Sequence, residues 1–180
     1  MVWRRRFEVP VEDVWAAVSS VEGLRRWWLV PPRELDLRPG GAFRHHWDNV
    51  ILELRENQFI NFGTKSCNGM RFEMREREGI TDFAFIDTWE KDVVPPEQGF
   101  GWEQPGGPGT PWARVAAGWH GCVDTLDAAL TGKPREDLFE IRCRYYAEYL
   151  SDYYRWMGLV QADLRARAPE SGDDESCASR

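Results

Sequence analysis

Two glycine-containing segments, far apart in the chain, limit its possible folds more than any other feature. Pro39-Gly40-Gly41 opens a region in which the hydrophobic period changes to two, and Gly118-Trp119 opens the apolar stretch of a long helix. Between them the chain predicts a series of strands, and before them it predicts one strand and two short helices. A long helix closing over a curved sheet is typical of a domain built around a cavity.

The strand region is predicted to form a meander of antiparallel strands joined by short turns. In one strand Met70, Phe72 and Met74 alternate with charged residues, which predicts one buried face and one solvated face. Asp48-Asn49 and Glu78-Gly79 are plausible hairpin turns. The predicted strands cover residues 2–9, 42–47, 50–56, 59–65, 69–77 and 80–91.

Helices are predicted on both sides of the strands. The segments 11–19 and 21–28 precede the meander, and Pro31-Pro32 prevents the second helix from continuing. The segment 112–130 follows the meander. It carries one apolar stripe, which we expect to pack on the sheet, formed by Val115, Trp119, Cys122, Leu126 and Leu130.

An additional C-terminal helix is predicted at 135–157, and apolar residues lie on two of its faces. Ile141, Tyr145 and Tyr149 belong to one stripe, whereas Tyr146 belongs to another. A helix that is apolar on two faces needs two packing partners. We therefore expect it to pack on its own domain, at the interface of a homodimer, or both.

The predicted organisation is one α+β domain with two additions. Residues 1–132 form the domain, and its segment 93–111 holds five prolines and five glycines, a composition that excludes regular structure. A loop of this length in a compact domain is usually a lid, a binding loop or a mobile segment. Residues 133–167 contain the additional helix, and the acidic tail 168–180 is expected to be disordered.

The composition argues against several classes of function. A formal net charge of −7 disfavours a nucleic-acid partner, since phosphate contacts need clustered Lys and Arg. We find no apolar run suited to membrane insertion and no signal-peptide core, so we expect a cytoplasmic protein. The aromatic content of 13% is high. Such side chains either fill a core or line a cavity for a small apolar or aromatic ligand.

Four segments together resemble one known superfamily. Residues 11–18 and 23–28 are similar to its first two helices, and residues 37–43 resemble its Pro-Gly-Gly turn into the sheet. Ala117-Gly118-Trp119, followed by Leu126, resembles the start of its closing helix. The superfamily is the START-like, helix-grip group, also called SRPBCC. Within it, the chain looks most like the branch homologous to the activator of a heat-shock chaperone ATPase.

This resemblance implies a helix-grip domain, in which a curved antiparallel sheet wraps around a long C-terminal helix and leaves an internal cavity. Members of the superfamily bind lipids, polyketides and other apolar molecules. Some catalyse cyclisation or dehydration, others act as chaperone cofactors, and no catalytic residue is universal among them. The long segment 93–111 and the additional C-terminal helix depart from the family pattern.

Polar residues on the inner face of the predicted sheet are the candidates for catalysis. If Phe43 faces the long helix, as the resemblance implies, strand alternation places His45 and Trp47 on the same inner face. The same alternation groups Asp87 with aromatic residues on the last strand. A histidine near a carboxylate is a competent general base, so His45 and Asp87 form the predicted catalytic pair. Alternatively, each is a satisfied buried polar residue or lies at a wet cavity mouth.

The predicted ligand contacts are mainly aromatic, with one amide that could orient a ligand carbonyl or merely satisfy a backbone group. They are Trp27, Phe43, Trp47, Asn61, Phe72, Phe83, Phe85, Trp89 and Trp119. No metal site is expected, because the adjacent His45-His46 point to opposite faces of a strand and no cysteine pair has ligand spacing. No nucleotide-binding motif was found, so no cofactor is expected.

Three functions follow from these residues, in order of preference. The first is binding of a small hydrophobic or aromatic molecule in an internal cavity, without obligatory chemistry. The second is an enzyme of the cyclase or dehydratase type, in which His45 or Asp87 moves a proton. The third is a protein-interaction module like the chaperone cofactors, carried by an outer surface or by the last helix. The sequence leaves open whether the chain is an enzyme.

Overall fold

The order of elements is a strand, two helices, six strands and a long helix. The computed structural model describes residues 1–28, 30–44, 48–64, 69–88, 110–134, 136–137, 140–149, 151–152 and 155. The helices are α1 (Val11–Val18), α2 (Val21–Arg25) and α3 (Thr110–Thr131). The strands are β1 (Val2–Phe7), β2 (Glu34–Leu35), β3 (Ala42–Arg44), β4 (Asp48–Arg55), β5 (Phe59–Gly63), β6 (Gly69–Arg77) and β7 (Ile80–Thr88).

All seven strands form one antiparallel sheet in the order β1-β7-β6-β5-β4-β3-β2. Strands β3 to β7 form the predicted meander, β2 extends it by one short strand, and β1 pairs with β7 from Val2↔Ile86 to Phe7↔Thr81. Helix α3 and the short helices pack on one face of this sheet, here called the inner face, and form one core with it. The α+β helix-grip class predicted from the sequence is confirmed.

The hairpin of β6 and β7 shows how the sequence fixes the register. Arg77 pairs with Ile80, and the two residues between them both have positive φ, 55° at Glu78 and 76° at Gly79. This is the backbone twist of the tightest hairpin turns. From this turn the alternation of β6 places its apolar residues inward, and Phe72 is fully buried.

The Pro-Gly-Gly turn enters the sheet through a close approach of two chain segments. Gly40 has a φ of 80°, and its N–H donates to the carbonyl of Ile51 at 2.8 Å. Gly41 accepts the N–H of Ile51 at 2.8 Å. A Cβ atom on Gly41 would lie 2.1 Å from the carbonyl oxygen of Asp36, so only glycine fits there. The predicted turn is confirmed, and its second glycine is required by packing.

Two predicted boundaries are wrong, because short runs of apolar and polar residues do not define where a strand or a helix ends. Asp48 and Asn49 belong to β4 and do not form a turn, because they pair with Arg44 and Phe43 of β3. Helix α2 ends at Arg25, before the two tryptophans that the predicted helix included.

The stripe predicted on α3 packs on the sheet. Val115, Trp119, Cys122 and Leu126 are buried, and Leu130 is half-buried. Residues 140–149 are helical and pack on the same chain. The predictions for 93–109 and 156–180 lie outside the described residues. Among the described helices, none combines the length and apolar character needed to cross a membrane.

Candidate functional site

Aromatic side chains cover the inner face of the sheet and the facing side of α3. Each of these rings is almost fully buried, and neighbouring centroids lie between 4.3 and 6.3 Å apart. Such spacings are those of rings in direct contact. The inner aromatic cluster, as we call it, consists of Trp27, Trp28, Phe43, Phe62, Phe72, Phe83, Phe85 and Trp119.

Trp28 joins the two sides of this cluster, although the sequence analysis did not propose it as a site residue. Its ring stacks on Trp119 of α3 at 4.8 Å and meets Phe85 of β7 edge-on at 5.7 Å. It also contacts Phe62 and Phe72 of the sheet. The Trp-Trp pair was visible in the sequence, but only the turn after α2 decides which of the two rings reaches α3.

Trp27 has a structural role beside it. Its Nε1 donates a hydrogen bond of 2.9 Å to the carbonyl of Ala17, and both groups are buried. This bond ties the segment after α2 to the end of α1, which satisfies a carbonyl that the helix end would otherwise leave without a partner. Because this bond fixes the Trp27 ring, its edge-on contact with the Trp28 ring helps to hold Trp28 in position.

A carboxylate lies at one end of the inner aromatic cluster. Asp87, near the end of β7, is 2% exposed, and Trp119 Nε1 donates a hydrogen bond of 2.9 Å to its Oδ2. A buried carboxylate is stable only where hydrogen-bond donors replace water. The Trp119 indole that makes this hydrogen bond lies between two rings, with Trp28 stacked on it and Phe85 edge-on at 5.2 Å.

The backbone of Asp87 is fixed by the N-terminus of the chain. Its N–H donates to the carbonyl of Met1 at 2.9 Å, and the amino group of Met1 donates to the carbonyl of Asp87 at 2.6 Å. These two bonds extend the β1–β7 ladder by one residue beyond Val2. Asp87 therefore lies on a strand that is paired on both sides, since Met70 of β6 is its other neighbour.

The end of the sheet that carries Asp87 is also where three connections leave the described strands. Residues 45–47 continue from β3, residues 65–68 follow β5, and residues 89–109 follow β7. His45, Trp47 and Trp89 belong to these connections and lie outside the described residues. Of the predicted His45–Asp87 pair, only Asp87 therefore lies within the described residues.

The remaining predicted contacts divide between the two faces of the sheet. Phe43, Phe72, Phe83 and Phe85 lie on the inner face as expected. Asn61 lies on the outer face, because it alternates with the buried Ile60 and Phe62 and pairs with Glu53 and Arg71. The structure therefore does not bring Asn61 together with the other predicted site residues. A sequence pattern of Phe-Ile-Asn-Phe does not show which pair of residues faces inward.

Asn49 is a buried polar residue that the sequence analysis missed. It is 3% exposed on the inner face of β4 and pairs across the ladder with Phe43. Its period-two relation to the buried Ile51 was the available signal, but the Asp-Asn dipeptide is also typical of turns. Asn49 and Asp87 lie toward the same end of the sheet, so the inner surface has two polar groups there.

A second polar cluster lies where α3 meets β1 and the 140–149 helical segment. Arg5 Nη2 contacts His120 Nε2 at 2.7 Å and pairs with Asp124, while Tyr149 Oη lies 3.0 Å from His120 Nδ1. A guanidinium has only donors, so Nε2 accepts and Nδ1 carries the proton of a neutral imidazole. Tyr145 stacks on this imidazole at 3.6 Å and donates to Asp124.

Burial dominates the titration of this second cluster. It lowers the pKa of His120 below 6.5, more than nearby Asp124 raises it, and the Arg5 guanidinium adds to the lowering. Burial, with the hydrogen bond to Asp124, raises the pKa of Tyr145 to about 12. The cluster closes around a neutral histidine and fastens the 140–149 helical segment to α3 and β1. Within this cluster the imidazole of His120 is half-buried.

The additional helix uses both of its predicted stripes within the chain. Ile141 is buried and Tyr145 is half-buried on one side, and Tyr146 is 5% exposed on the other. Tyr146 packs on Ala113 and Ala117 of α3. Both stripes thus find partners within the chain over the described part of this helix.

Comparisons with known proteins agree with this geometry. The model of a family described as Activator of Hsp90 ATPase homolog 1-like protein matches residues 8–131. CalU16 from Micromonospora echinospora has the same fold with a TM-score of 0.55 and 18% identity, over 83% of this chain and 85% of that one. The protein encoded by gene BPP1335 of Bordetella parapertussis has a TM-score of 0.61 and 17% identity, over 83% of each chain.

A further solved structure with this fold is DynU16, from the dynemicin biosynthetic locus. It has a TM-score of 0.55 and 19% identity, over 76% of this chain and 49% of that one. At such identities the likeness establishes the fold and nothing more. A search of curated protein sequences found no match.

Proposed function

This chain belongs to the family of Activator of Hsp90 ATPase homolog 1-like proteins, and we propose that it binds a small apolar or aromatic molecule between the sheet and α3. The observation that carries the proposal is the buried Asp87 carboxylate, held by Trp119 at the end of a wall of aromatic rings. Ligand sites in proteins combine such apolar walls with a few placed polar groups.

We place the ligand at the Asp87 end of the inner aromatic cluster. Phe72, at the centre of the sheet, has five rings within 6.0 Å of its own, so it is packed as core. Toward Asp87 the inner surface is formed by Trp119, Phe85 and Met70, and three connections begin there. A ligand at this end contacts aromatic faces without displacing the centre of the core.

The carboxylate selects the polar part of the ligand. A carboxylate accepts hydrogen bonds through both of its oxygens, and the indole N–H of Trp119 donates to Oδ2 of Asp87. A hydroxyl, phenol or N–H group on the ligand suits Asp87, whereas a ligand carboxylate would be repelled. The proposed ligand is thus a flat or aromatic molecule with a hydrogen-bond donor near one end.

The same residue favours a second candidate function, an enzyme of the cyclase or dehydratase type. Asp87 is the one nearly fully buried carboxylate among the described residues. A carboxylate shielded from water acts as a general base when a substrate proton is placed against it. Elimination of water would then follow from proton removal next to a hydroxyl leaving group, and would need no redox partner.

Native mass spectrometry of the chain purified from its own host tests the first candidate. We expect a bound small molecule that dissociates on denaturation, and we expect Trp119→Phe to lose it. The matched control is Trp15→Phe, because Trp15 is a half-buried tryptophan on α1 and should leave binding intact. Titration with N-phenyl-1-naphthylamine, an uncharged aromatic amine with one N–H donor, supplies a defined apolar probe. Equal effects of both substitutions on probe affinity would contradict the proposed site.

The Asp87→Asn variant separates the two candidates. If the chain only binds its ligand, the variant should release the same mass with weaker retention. If the chain is a dehydratase or a cyclase that eliminates water, the variant should release a molecule heavier by one water than the wild type does. A variant with unchanged mass and unchanged retention would remove Asp87 from both candidates.

A further inference from the structure

The outer face of the sheet carries a groove that the proposed ligand site does not use. The groove has a volume of about 1080 Å³ and includes Ala84 of β7, which lies between Arg4 of β1 and Glu73 of β6 in the paired register. Because alanine is short, the longer side chains on both sides leave a depression over the middle strand. The outer groove, as we call it, is lined mainly by Arg4, Arg6, Arg71, Glu73, Arg75 and Asp82.

The charge of the outer groove is opposite to that of the chain. Five arginines and three acidic residues line it, whereas the whole chain has a formal net charge of −7. Arg6 pairs with Asp82 at 3.1 Å, and Arg71 pairs with Glu73 at 2.7 Å. These two pairs leave an excess of positive charge in the groove.

Two arginines of the outer groove have no carboxylate partner within the described part of the chain. Arg4 and Arg75 are both exposed and take part in none of the ion pairs found there. They lie on β1 and β6, on opposite sides of β7. Arg4 is opposite Ala84 and Arg75 is opposite Asp82. Their backbones are therefore about 12 Å apart, since neighbouring strands are about 4.8 Å apart and two residues span about 7 Å along a strand.

We propose that the outer groove binds an acidic, extended segment of a protein partner. Side chains on one face of an extended segment recur at about 7 Å, and every second one recurs at about 13 Å. These distances bracket the separation of Arg4 and Arg75, so two acidic side chains of one segment can reach both. Each guanidinium can bind a carboxylate through two parallel hydrogen bonds.

The floor of the outer groove suits the apolar side chains of such a segment. The guanidinium of Arg71 lies 4.0 Å from the centroid of the Phe59 ring, which fixes a flat surface on the side of Glu73 away from Ala84. Small or apolar residues between the acidic ones would lie against this surface. The combination of two separated cations and an apolar floor is typical of peptide recognition rather than of a site for a single small anion.

The acidic residues of the outer groove disfavour a nucleic acid. Asp82 lies between Arg6 and Arg75 in the paired register, and Glu73 lies beside Arg71. A phosphodiester chain places a charge at every residue and would bring phosphates against these carboxylates. Carboxylates spaced along a peptide avoid that repulsion. The interleaved charges therefore select the spacing of the partner's acidic groups.

The test uses the full chain and a fluorescently labelled Glu-Ser-Ala-Ser-Glu peptide with blocked ends, followed by fluorescence anisotropy, because its two carboxylates are spaced by about 13 Å with an alanine between them on the same face. We expect saturable binding that weakens as salt is added. The double variant Arg4→Gln/Arg75→Gln should lose affinity by about ten-fold or more. The matched control Arg25→Gln/Arg33→Gln changes the net charge equally at exposed arginines outside the groove, and it should change affinity by less than about two-fold.

Three results would overturn the proposal. One is the absence of saturable binding at low salt, and another is an equal loss in the two double variants, which would indicate a general charge effect. The third is tighter, Arg4- and Arg75-dependent binding of a thymidine oligonucleotide or of anionic phospholipid vesicles, which would assign the groove to another class of partner. Far-UV circular dichroism of each variant confirms that it is folded, so a loss of affinity is attributable to the groove.

Discussion

The hydrogen bond between Trp119 and Asp87 should make a measurable contribution to the stability of the fold. Both side chains are at most 3% exposed, and the Nε1–Oδ2 distance is 2.9 Å. A hydrogen bond to a charged group is worth about 1.5–3 kcal/mol when its loss leaves that group buried. A cost of this size is a large part of the total stability of a small domain, about 5–15 kcal/mol.

A double-mutant cycle isolates this contribution from the packing that each substitution also removes. Trp119→Phe removes the donor, Asp87→Ala removes the acceptor, and urea unfolding followed by circular dichroism gives the free energy of unfolding for each variant. We expect the double variant to be more stable than the sum of the two losses predicts, by about 1.5–3 kcal/mol. Additivity within about 0.5 kcal/mol would refute the reasoning. Trp27→Phe combined with Asp87→Ala is the control, because the Trp27 indole bonds Ala17 instead, and that pair should be additive.

Other substitutions test the fold and the second polar cluster. Gly41→Ala should destabilise the chain by about 3 kcal/mol or more, because the added Cβ atom clashes with the backbone. Gly79→Ala is strained only by its φ of 76° and should lower the free energy of unfolding by about 1 kcal/mol. Equal urea midpoints for the two variants would contradict this difference. Trp27→Phe leaves the buried carbonyl of Ala17 without its donor and should cost about 1–3 kcal/mol in the same assay. Burial lowers the pKa of His120, so the unfolded chain binds more protons than the folded one and stability should fall as the pH drops below about 6.5. His120→Phe should remove part of that fall, and an unchanged pH profile would show that the histidine is protonated in the fold.

Much of the sheet could be predicted because its strands alternate cleanly. The strand predicted at 69–77 coincides with β6, and the positive φ values at Glu78 and Gly79 fit the predicted turn. The shared inner face of Phe83, Phe85 and Asp87 follows from the same period of two. These features depend on residues close in sequence, which is why local patterns are sufficient to predict them.

The site depends on long-range geometry that the patterns do not contain. Trp119 meets Asp87 because α3 lies across the sheet at a particular rotation, which the apolar stripe constrains only to within the width of a helix face. The face of Asn61 could not be assigned because apolar residues occupy both alternating sets of β5, with Phe59 on the face of Asn61 and Ile60 and Phe62 on the other.

The cluster around His120 also depends on contacts between distant parts of the chain, which local sequence patterns do not contain. Its members come from β1, α3 and the 140–149 helical segment, so no single element contains the signal. Local patterns could not connect His120 with Arg5, because the two residues are more than a hundred positions apart in the sequence.

Strand β7 serves both proposed sites, one on each face. Asp82 and Ala84 belong to the outer groove, whereas Phe85 and Asp87 belong to the inner site, and β7 is paired on both sides by β1 and β6. A strand held by two ladders moves little, so binding on one face should not alter binding on the other. Arg4→Gln/Arg75→Gln should therefore leave the affinity for N-phenyl-1-naphthylamine unchanged, and Asp87→Asn should leave binding of the acidic peptide unchanged. If a substitution at one site changed the affinity at the other, β7 would have to shift between two positions. The inner site and the outer groove would then be two parts of one conformational switch.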